Sequence, residues 1–312
     1  MNLQRRLITS RLMTFGQLAT FLAVARAGSV RGAAAALVVT EPAVSAAVSA
    51  LQRDLGVELV ARQGRGIVLT PAGETLARYA AELLGLRDQA LREIRGARVL
   101  RLAAVTTAAE HVVPPLLKAF REQAPQVDVS LEVGNREQVF EMLARRQVDV
   151  AVGGRPPAGA GITGVPFLDY RLVVVAAADH PVADPADETW LLRERGSGTR
   201  ATVEAFLEEA GIVPRSTMTL GSNGAVKQAA AVGLGITLLS THTAGAELAS
   251  GALVRVPMAG APLRRSWFVL ERDGGPELPE VAMFRAFCRS REARAAVLSA
   301  VRPGQAPSQL SR

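Results

Sequence analysis

The feature that most constrains the fold is a regular alternation of strand-like and helix-like segments that begins near residue 98. The order is strand, helix, strand, helix, strand across residues 99–105, 111–122, 127–133, 137–146 and 148–152. Short apolar runs separated by amphipathic helices are typical of βαβ units, whose strands lie parallel in one sheet. A second such series covers residues 199–209 (helix), 217–220 (strand), 225–232 (helix) and 236–239 (strand). The sequence therefore predicts an α/β fold with two lobes.

Two further strand-like segments, residues 172–177 and 264–270, are expected to cross between the lobes. Residues 278–300 read as a helix that returns to the first lobe. We therefore expect the first lobe to contain about residues 98–168 and 270–302, and the second lobe about residues 169–269.

Polar residues follow the predicted strands at the edge where such sheets bind ligands. In open α/β sheets the ligand lies at the carboxyl ends of the strands, where helix N-termini offer unpaired N–H groups. This rule selects ten residues: Thr106, Thr107, Asn135, Arg136, Arg155, Ser197, Gly198, Thr199, Arg200 and Asn223. Because three of them are arginines, the expected ligand is a small anion carrying phosphate or carboxylate. The alternative is that they are ordinary turn residues and surface charges.

The first third of the chain has a different pattern, with three short helical segments before residue 56. They cover residues 15–27, 30–37 and 40–55, and Gly28-Ser29 separates the first two. The third segment has one narrow apolar stripe, formed by Val44, Val48, Leu51 and Leu55, and an opposite face of small or polar residues, formed by Pro42, Ala46, Ser49 and Arg53. Such a face lets a helix approach the floor of a DNA major groove. The alternative is an Ala/Ser-rich helix that simply faces solvent.

A predicted hairpin follows at residues 58–69, with the tip RQGRG. Two arginines, Arg62 and Arg65, accompany the turn glycines, so the tip could reach phosphates or a minor groove. Residues 1–97 hold 12 Arg against 7 Asp and Glu, whereas residues 98–312 hold 24 Lys and Arg against 22. The basic excess of the N-terminal part is consistent with a polyanionic partner. Together these features predict a winged helix-turn-helix.

Residues 71–95 read as one long helix that connects the two parts. Leu76, Leu83 and Ala90 recur every seven residues, with Tyr79 and Leu86 between them. This repeat is shorter than the three to four heptads that define a coiled coil. It leaves two readings: a helix that pairs with its copy in a second subunit, and a helix packed on its own domain.

The segment FLAVARAGSVRGAAAALVVTEPAVSAAVSALQRDLGVELVARQGRGIVLTPAG resembles the signature region of LysR-type transcriptional regulators. The two predicted lobes resemble the periplasmic-binding-protein-like effector domain of the same family. The resemblance implies a homodimer or homotetramer that pairs through the long helix, binds double-stranded DNA and contacts RNA polymerase. It places eleven residues at the DNA: Ser29, Arg31, Glu41, Pro42, Ala43, Ser45, Ala46, Ser49, Arg53, Arg62 and Arg65. Glu41 stands where many members have Gln, which changes the base readout that can be expected.

Four segments of the C-terminal part, VGNREQV, GRPP, GSGTR and LGSNGAVKQAAAVGLGITLLS, resemble the branch of the family that controls Calvin-cycle operons. This likeness implies an effector that is a sugar phosphate, another phosphorylated metabolite or a reduced nicotinamide nucleotide.

Other classes of function receive little support. The single cysteine, Cys288, excludes a disulfide framework, and the histidines His111, His180 and His242 lack metal-ligand spacing. No catalytic constellation is evident, so we expect neither an enzyme nor a bound cofactor or metal. Without a signal peptide or a long apolar run, the cytoplasm is expected and a membrane partner is not. The rival reading is a two-lobed solute-binding module or enzyme whose N-terminal part is a dimerisation arm.

The expected domains are a disordered extension at residues 1–12, a DNA-binding domain at 13–70, a linker helix at 71–97, an effector-binding domain at 98–302 and a disordered tail at 303–312.

Overall fold

The computed structural model describes residues 13–64, 66–274 and 277–301. The expectations for residues 1–12, for Arg65 and for residues 303–312 lie outside the described residues. The chain divides into two compact units with a boundary between Ala97 and Arg98, and the short segment Arg145–Gln147 is grouped with the first unit.

The first unit contains the three short helices, the hairpin and the long helix that the sequence predicts. Their bounds are α1 (Phe15–Ala27), α2 (Val30–Leu37), α3 (Glu41–Leu55), β1 (Val60–Gln63), β2 (Gly66–Leu69) and α4 (Pro71–Ile94). Hydroxyl groups cap the helix starts, because Thr14, Ser29, Thr40 and Thr70 each accept a backbone N–H of the following turn. The winged helix-turn-helix pattern is confirmed.

The apolar stripe of α3 forms part of the core. Val44 and Leu51 are fully buried, and Val48 is nearly so. A helix that buries only this narrow stripe leaves the rest of its surface free, as the sequence indicates.

Helix α4 has two different faces. Ala77, Ala80 and Ala81 are buried in the same cluster as Leu18 and Phe21 of α1. The heptad residues Tyr79, Leu83, Leu86 and Ala90 are exposed, whereas Leu76 packs partly buried against the core. Ile94, which the heptad reading did not include, extends the exposed stripe and is 81% exposed. The helix therefore packs on its own domain and also presents an apolar stripe, so the two readings are compatible.

The second unit is built on a seven-stranded mixed sheet and a smaller two-stranded sheet. The strands are β3 (Val99–Val105), β4 (Asp128–Gly134), β5 (Val150–Gly153), β6 (Ile162–Ala177), β7 (Thr189–Arg193), β8 (Ser216–Leu220), β9 (Thr237–Ser240), β10 (Leu253–Arg255) and β11 (Leu263–Arg272). The large sheet has the order β10-β6-β11-β5-β3-β4, and β9 also pairs with β6. Strand β3 runs parallel to both β4 and β5, and β7 runs parallel to β8, as βαβ connections require.

Helices cover these sheets and complete the two lobes. They are α5 (Thr106–His111), α6 (Val113–Gln123), α7 (Arg136–Ala144), α8 (Gly198–Glu209), α9 (Asn223–Ala231), α10 (Gly245–Ser250), α11 (Pro279–Cys288) and α12 (Arg291–Val301). One core cluster lies beneath α6, α11 and α12 in the first lobe, and separate clusters lie beneath α8 and α9 in the second lobe. The two-lobed α/β prediction is confirmed.

Four local predictions need correction. The helix predicted at residues 111–122 starts earlier, at Thr106, and breaks at Val112. The helix predicted at residues 278–300 is two helices, because the chain turns at Arg289 and the Ser290 hydroxyl caps the next one by accepting the N–H of Ala293. Strands β7 and β10 were not predicted. The crossing strand is longer than residues 172–177, since β6 pairs with β11 from Ile162 onward.

Among the described residues, no single helix is long and apolar enough to cross a membrane; only α2 and α3 together, bent by 109°, reach that length and apolarity.

Candidate functional site

A cavity of about 660 Å³ lies between the two lobes of the second unit. Nine of the ten residues selected from the sequence line it: Thr106, Thr107, Asn135, Arg136, Arg155, Ser197, Gly198, Thr199 and Asn223. They come from the carboxyl ends of strands in both lobes and from the turns that follow. The topology therefore brings together residues that are more than 110 positions apart in the chain.

Three helices of nine or more residues begin at this cavity, and the six-residue helix α5 also starts there, at Thr106. The first residues of α7, α8 and α9 are Arg136, Gly198 and Asn223, and all three line the wall. Backbone N–H groups in the first turn of a helix have no partner within the helix, and the helix dipole favours negative charge there. Three such helix starts make the cavity suited to an anion.

The side-chain charge of the cavity is wholly positive among the residues that the structure describes. Its lining includes no Asp or Glu and contains five arginines: Arg136, Arg155, Arg193, Arg264 and Arg265. Two of the guanidinium groups lie over aromatic rings, Arg136 over Phe140 at 5.0 Å and Arg155 over Phe268 at 5.7 Å. Stacking restricts the rotamers of these long side chains and so reduces the entropy lost when an anion binds.

Hydrogen bonds connect the two lobes at one wall of the cavity. Asn223, which is 1% exposed, donates from Nδ2 to the Thr107 hydroxyl oxygen at 2.7 Å. Its Oδ1 accepts a short hydrogen bond from the Arg193 guanidinium. Arg193 is 3% exposed and also forms an ion pair with Glu194 at 2.7 Å. Both ends of the Asn223 amide are thus occupied by protein groups, so this residue joins the lobes.

Arg200 is the exception among the ten selected residues and requires a correction. Its guanidinium forms an ion pair with Glu204, one turn further along α8, at 2.7 Å. It also donates to the backbone oxygen of Arg193 at 3.1 Å and to the Thr219 hydroxyl at 3.3 Å. These bonds turn the side chain away from the main cavity and into the wall of a neighbouring one of about 550 Å³.

The main cavity also has an aromatic wall that sequence reasoning missed. Tyr170 of β6 stacks on Trp267 of β11, with ring centroids 4.5 Å apart and an interplanar angle of 16°. Burial raises the pKa of Tyr170 to about 12, and nearby Arg265 opposes this increase. The phenol therefore keeps its proton at neutral pH and can donate a hydrogen bond.

Arg193, Arg264 and Arg265 were also missed, for two different reasons. Arg193 ends β7, a strand that the sequence reading did not recognise, so the carboxyl-end rule was never applied to it. Arg264 and Arg265 lie on β11, which was predicted to cross between the lobes. A strand that crosses between two lobes passes next to the cavity between them, so its residues, including Arg264 and Arg265, are expected to line that cavity.

In the first unit, the face expected to meet DNA is exposed. The residues that share this exposure on α2, α3 and β1 are Arg31, Glu41, Pro42, Ala43, Ser45, Ala46, Ser49, Arg53 and Arg62. Ser29 is half-buried, and its hydroxyl caps α2 by accepting the N–H of Gly32 at 3.1 Å. That hydroxyl therefore fixes the turn between α1 and α2, two residues before Arg31.

The remaining titratable candidates lie elsewhere. Burial lowers the pKa of both His111 and His242, while His180 pairs with Glu188 at 2.7 Å. Cys288 is 1% exposed, and burial raises the pKa of its thiol. Within residues 13–64, 66–274 and 277–301, no three His, Cys, Asp or Glu side chains are grouped so that they could hold a metal ion.

A winged helix-turn-helix followed in sequence by a long helix and a two-lobed domain with a cationic cavity defines a class: DNA-binding proteins that respond to a small ligand. Residues 15–74 match the family described as "Bacterial regulatory helix-turn-helix protein, lysR family", and residues 95–293 match "LysR substrate binding domain". The chain belongs to the LysR family of transcriptional regulators.

Individual relatives confirm the resemblance to the carbon-fixation branch. The chain is 36% identical over 291 residues to the RuBisCO operon transcriptional regulator of Allochromatium vinosum, which covers 89% of this chain and 96% of that protein. The solved regulatory domain of CcmR from Synechocystis PCC6803 in complex with 2-PG is 35% identical, with a TM-score of 0.56, and covers 61% of this chain and 95% of that one. Full-length CbnR complexed with its target DNA is 26% identical, with a TM-score of 0.62, and covers 89% and 99% of the two chains.

Proposed function

We propose that this regulator binds operator DNA as a homodimer or homotetramer, and that a small phosphorylated anion in the interlobe cavity alters that binding. The domains of this proposal are the DNA-binding domain at residues 13–70, the linker helix at 71–97 and the effector-binding domain at 98–302.

The observation that carries the effector class is the composition of the cavity wall. Five arginines, of which Arg193 is already paired with Glu194, line a space of about 660 Å³ together with the N-termini of α7, α8 and α9 and several hydroxyl groups, and no carboxylate is among the described lining residues. A cavity whose described lining has arginines and no acidic side chain concentrates positive charge. A phosphate group can accept bidentate hydrogen bonds from guanidinium groups. The 2-PG complex of the Synechocystis domain supports a phosphorylated ligand of small size.

The DNA proposal rests on the exposed face of α3. In this proposal the small exposed residues Ala43, Ala46 and Ser49 let the helix backbone approach base edges, and the exposed Arg53 and Arg62 contact phosphates. The CbnR complex with target DNA supports the same use of this domain. The exposed stripe of α4 would pair two subunits, so that two α3 helices read two half-sites. Contact with RNA polymerase at the promoter is part of this proposal.

The cavity favours binding over catalysis. Its described lining contains no His, Lys, Cys, Asp or Glu, the side chains that most often serve as a general base or nucleophile. We therefore propose that the chain is not an enzyme and uses no cofactor beyond its effector. A solute-binding module with a dimerisation arm is the competing reading, and it would not bind a duplex.

Calorimetric titration with 2-phosphoglycolate and with glycolate tests the effector class, because the pair differs only in the phosphate. We expect heat of binding from the phosphorylated compound alone. Arg155→Met and Arg265→Met should each weaken binding about tenfold or more, since one charge-assisted hydrogen-bond partner is lost. Arg200→Met is the matched control outside the main cavity and should bind normally.

Equal binding of both compounds, or an equal loss in all three variants, would contradict a phosphate site in this cavity. If the protein still binds DNA but binds no phosphorylated metabolite, the proposed effector class is wrong. The proposal that the chain is a DNA-binding regulator would then still stand. Duplex affinity that does not fall as salt is raised would reject the DNA proposal, because contacts to several phosphates make binding strongly salt-dependent.

A further inference from the structure

A side chain of helix α3, that of Gln52, is hydrogen-bonded to the residues at which the hairpin begins. The Gln52 Oε1 atom accepts the backbone N–H of Leu59 at 2.8 Å and that of Val60 at 3.2 Å. Both partners are N–H donors, so the amide atom that faces them must be oxygen. Gln52 therefore connects the C-terminal half of α3 directly to residues 59–60.

The same segment is bonded on its other side to the start of α4. The Leu59 backbone oxygen accepts the N–H of Thr70 at 3.1 Å, and the Glu58 oxygen accepts the Thr70 hydroxyl at 2.7 Å. The Thr70 hydroxyl oxygen in turn accepts the N–H of Gly73 at 3.0 Å and so caps α4. A single backbone segment thus lies between the two helices and is hydrogen-bonded to both.

Close packing makes this connection rigid. A Cβ atom built on Gly73 would lie 1.9 Å from the Leu59 backbone oxygen, so the first turn of α4 rests directly on the segment. The Leu59 side chain is 1% exposed and belongs to the core cluster that includes Leu51 of α3 and Ala77 of α4. Neither helix can rotate without breaking these bonds or this core.

We propose that Gln52 is a positioning residue that fixes the direction of α3 relative to the axis of α4. This inference rests on the proposed function, in which α4 pairs two subunits and each α3 reads one half-site. If both α3 helices are locked to the paired α4 helices, their separation is fixed and the operator must match it. Gln52 then determines how strictly the protein discriminates half-site spacing, without contacting a base.

The test compares full-length proteins on duplexes in which the half-site spacing is changed. An operator selected from a random duplex pool provides the natural spacing, and variants carry one or two base pairs more or fewer. Each added base pair moves a half-site by about 3.4 Å and rotates it by about a tenth of a turn. We expect wild-type affinity to fall about tenfold or more when the spacing changes by two base pairs, as it does for a lost specific contact.

Gln52→Met retains the length of the side chain but removes the acceptor, so the penalty for altered spacing should shrink to about threefold or less. Gln52→Glu retains an acceptor for both N–H groups and should preserve the wild-type ratio between spacings, although its charge lowers affinity for every duplex. Thr70→Val removes the hydroxyl bond to the Glu58 oxygen and the cap of α4 but leaves the backbone bond to Leu59, so it should relax spacing in the same direction as Gln52→Met and to a smaller extent. Asp54→Asn, at an exposed position of the same helix, is the control.

A Gln52→Met protein that loses affinity or thermal stability but keeps the wild-type spacing ratio would overturn the proposal, because the role would then be structural only. The same holds if Gln52→Glu relaxes spacing as far as Gln52→Met. A wild-type protein that binds single half-sites with no dependence on spacing would instead overturn the paired arrangement of the proposed function, so the two failures are distinguishable.

Discussion

Replacing Asn223 by alanine should destabilise the second unit and loosen the two lobes. Asn223 is 1% exposed and joins Thr107 of the first lobe to Arg193 of the second. Removing its amide eliminates both hydrogen bonds and leaves the guanidinium of Arg193, itself 3% exposed, with one partner fewer.

The magnitude follows from the kinds of bond that are lost. A hydrogen bond to a charged group contributes about 1.5–3 kcal/mol, and one between neutral groups contributes about 0.5–1.5 kcal/mol. Water entering from the adjacent cavity would recover part of this loss by hydrating the Arg193 N–H groups. We therefore expect the free energy of unfolding to fall by about 2–3 kcal/mol.

Urea unfolding followed by tryptophan fluorescence measures this change. Both tryptophans, Trp190 and Trp267, lie in the second unit, so the signal reports on that unit alone. With a denaturant dependence of about 2 kcal/mol per molar urea, the midpoint should fall by about 1–1.5 M. Thr107→Val and the double variant complete a cycle that isolates the interlobe bond, whose coupling should be about 0.5–1.5 kcal/mol.

Two results would refute this reasoning. One is a midpoint for Asn223→Ala within about 0.3 M of wild type, since a buried amide that is hydrogen-bonded at both ends cannot be removed at so small a cost. The other is strict additivity of Asn223→Ala and Thr107→Val, which would mean that the bond between the lobes contributes nothing.

Three further predictions concern other parts of the chain. Val38 is 90% exposed and adopts the left-handed conformation with φ 56°, which asparagine adopts more readily than valine. Val38→Asn should therefore stabilise the first unit by about 1 kcal/mol, measured as slower amide exchange in α2 and α3. Unchanged exchange would contradict this prediction. Burial lowers the pKa of His111 and His242, so the unfolding free energy should be highest above pH 6.5 and should decline as the pH falls below it. The double variant His111→Asn, His242→Asn should show a smaller decline. An equal decline in the double variant and the wild type would contradict this prediction. Cys288 is buried and its thiol pKa is raised, so it should react with a thiol reagent only after unfolding.

Much of the fold could be predicted because its elements carry strong local signals. The capping hydroxyls, the glycine that ends α1 and the apolar stripe of α3 each act within one or two turns, so the sequence shows them directly. The βαβ pattern likewise placed the strand ends of the first lobe, and the carboxyl-end rule then selected nine residues that line one cavity.

The errors arise where tertiary contacts determine whether a strand forms or which way a side chain points. Strand β7 has little local pattern and is defined by its pairing with β8. The side chain of Arg200 has several possible partners, and only the fold shows that Glu204 and the Arg193 carbonyl hold it outside the main cavity. The connection through Gln52 depends on backbone groups seven and eight residues further along the chain, which no helical wheel can reveal.

A footprint on the DNA upstream of the protein's own gene tests the central claim most directly. It would be recorded with no metabolite, with a panel of phosphorylated metabolites and with their unphosphorylated counterparts. The account predicts a protected, partly palindromic site whose extent changes with at least one phosphorylated compound and with none of the counterparts. Protection that no metabolite changes would contradict the effector claim, and no protection by folded, oligomeric protein would contradict the account as a whole.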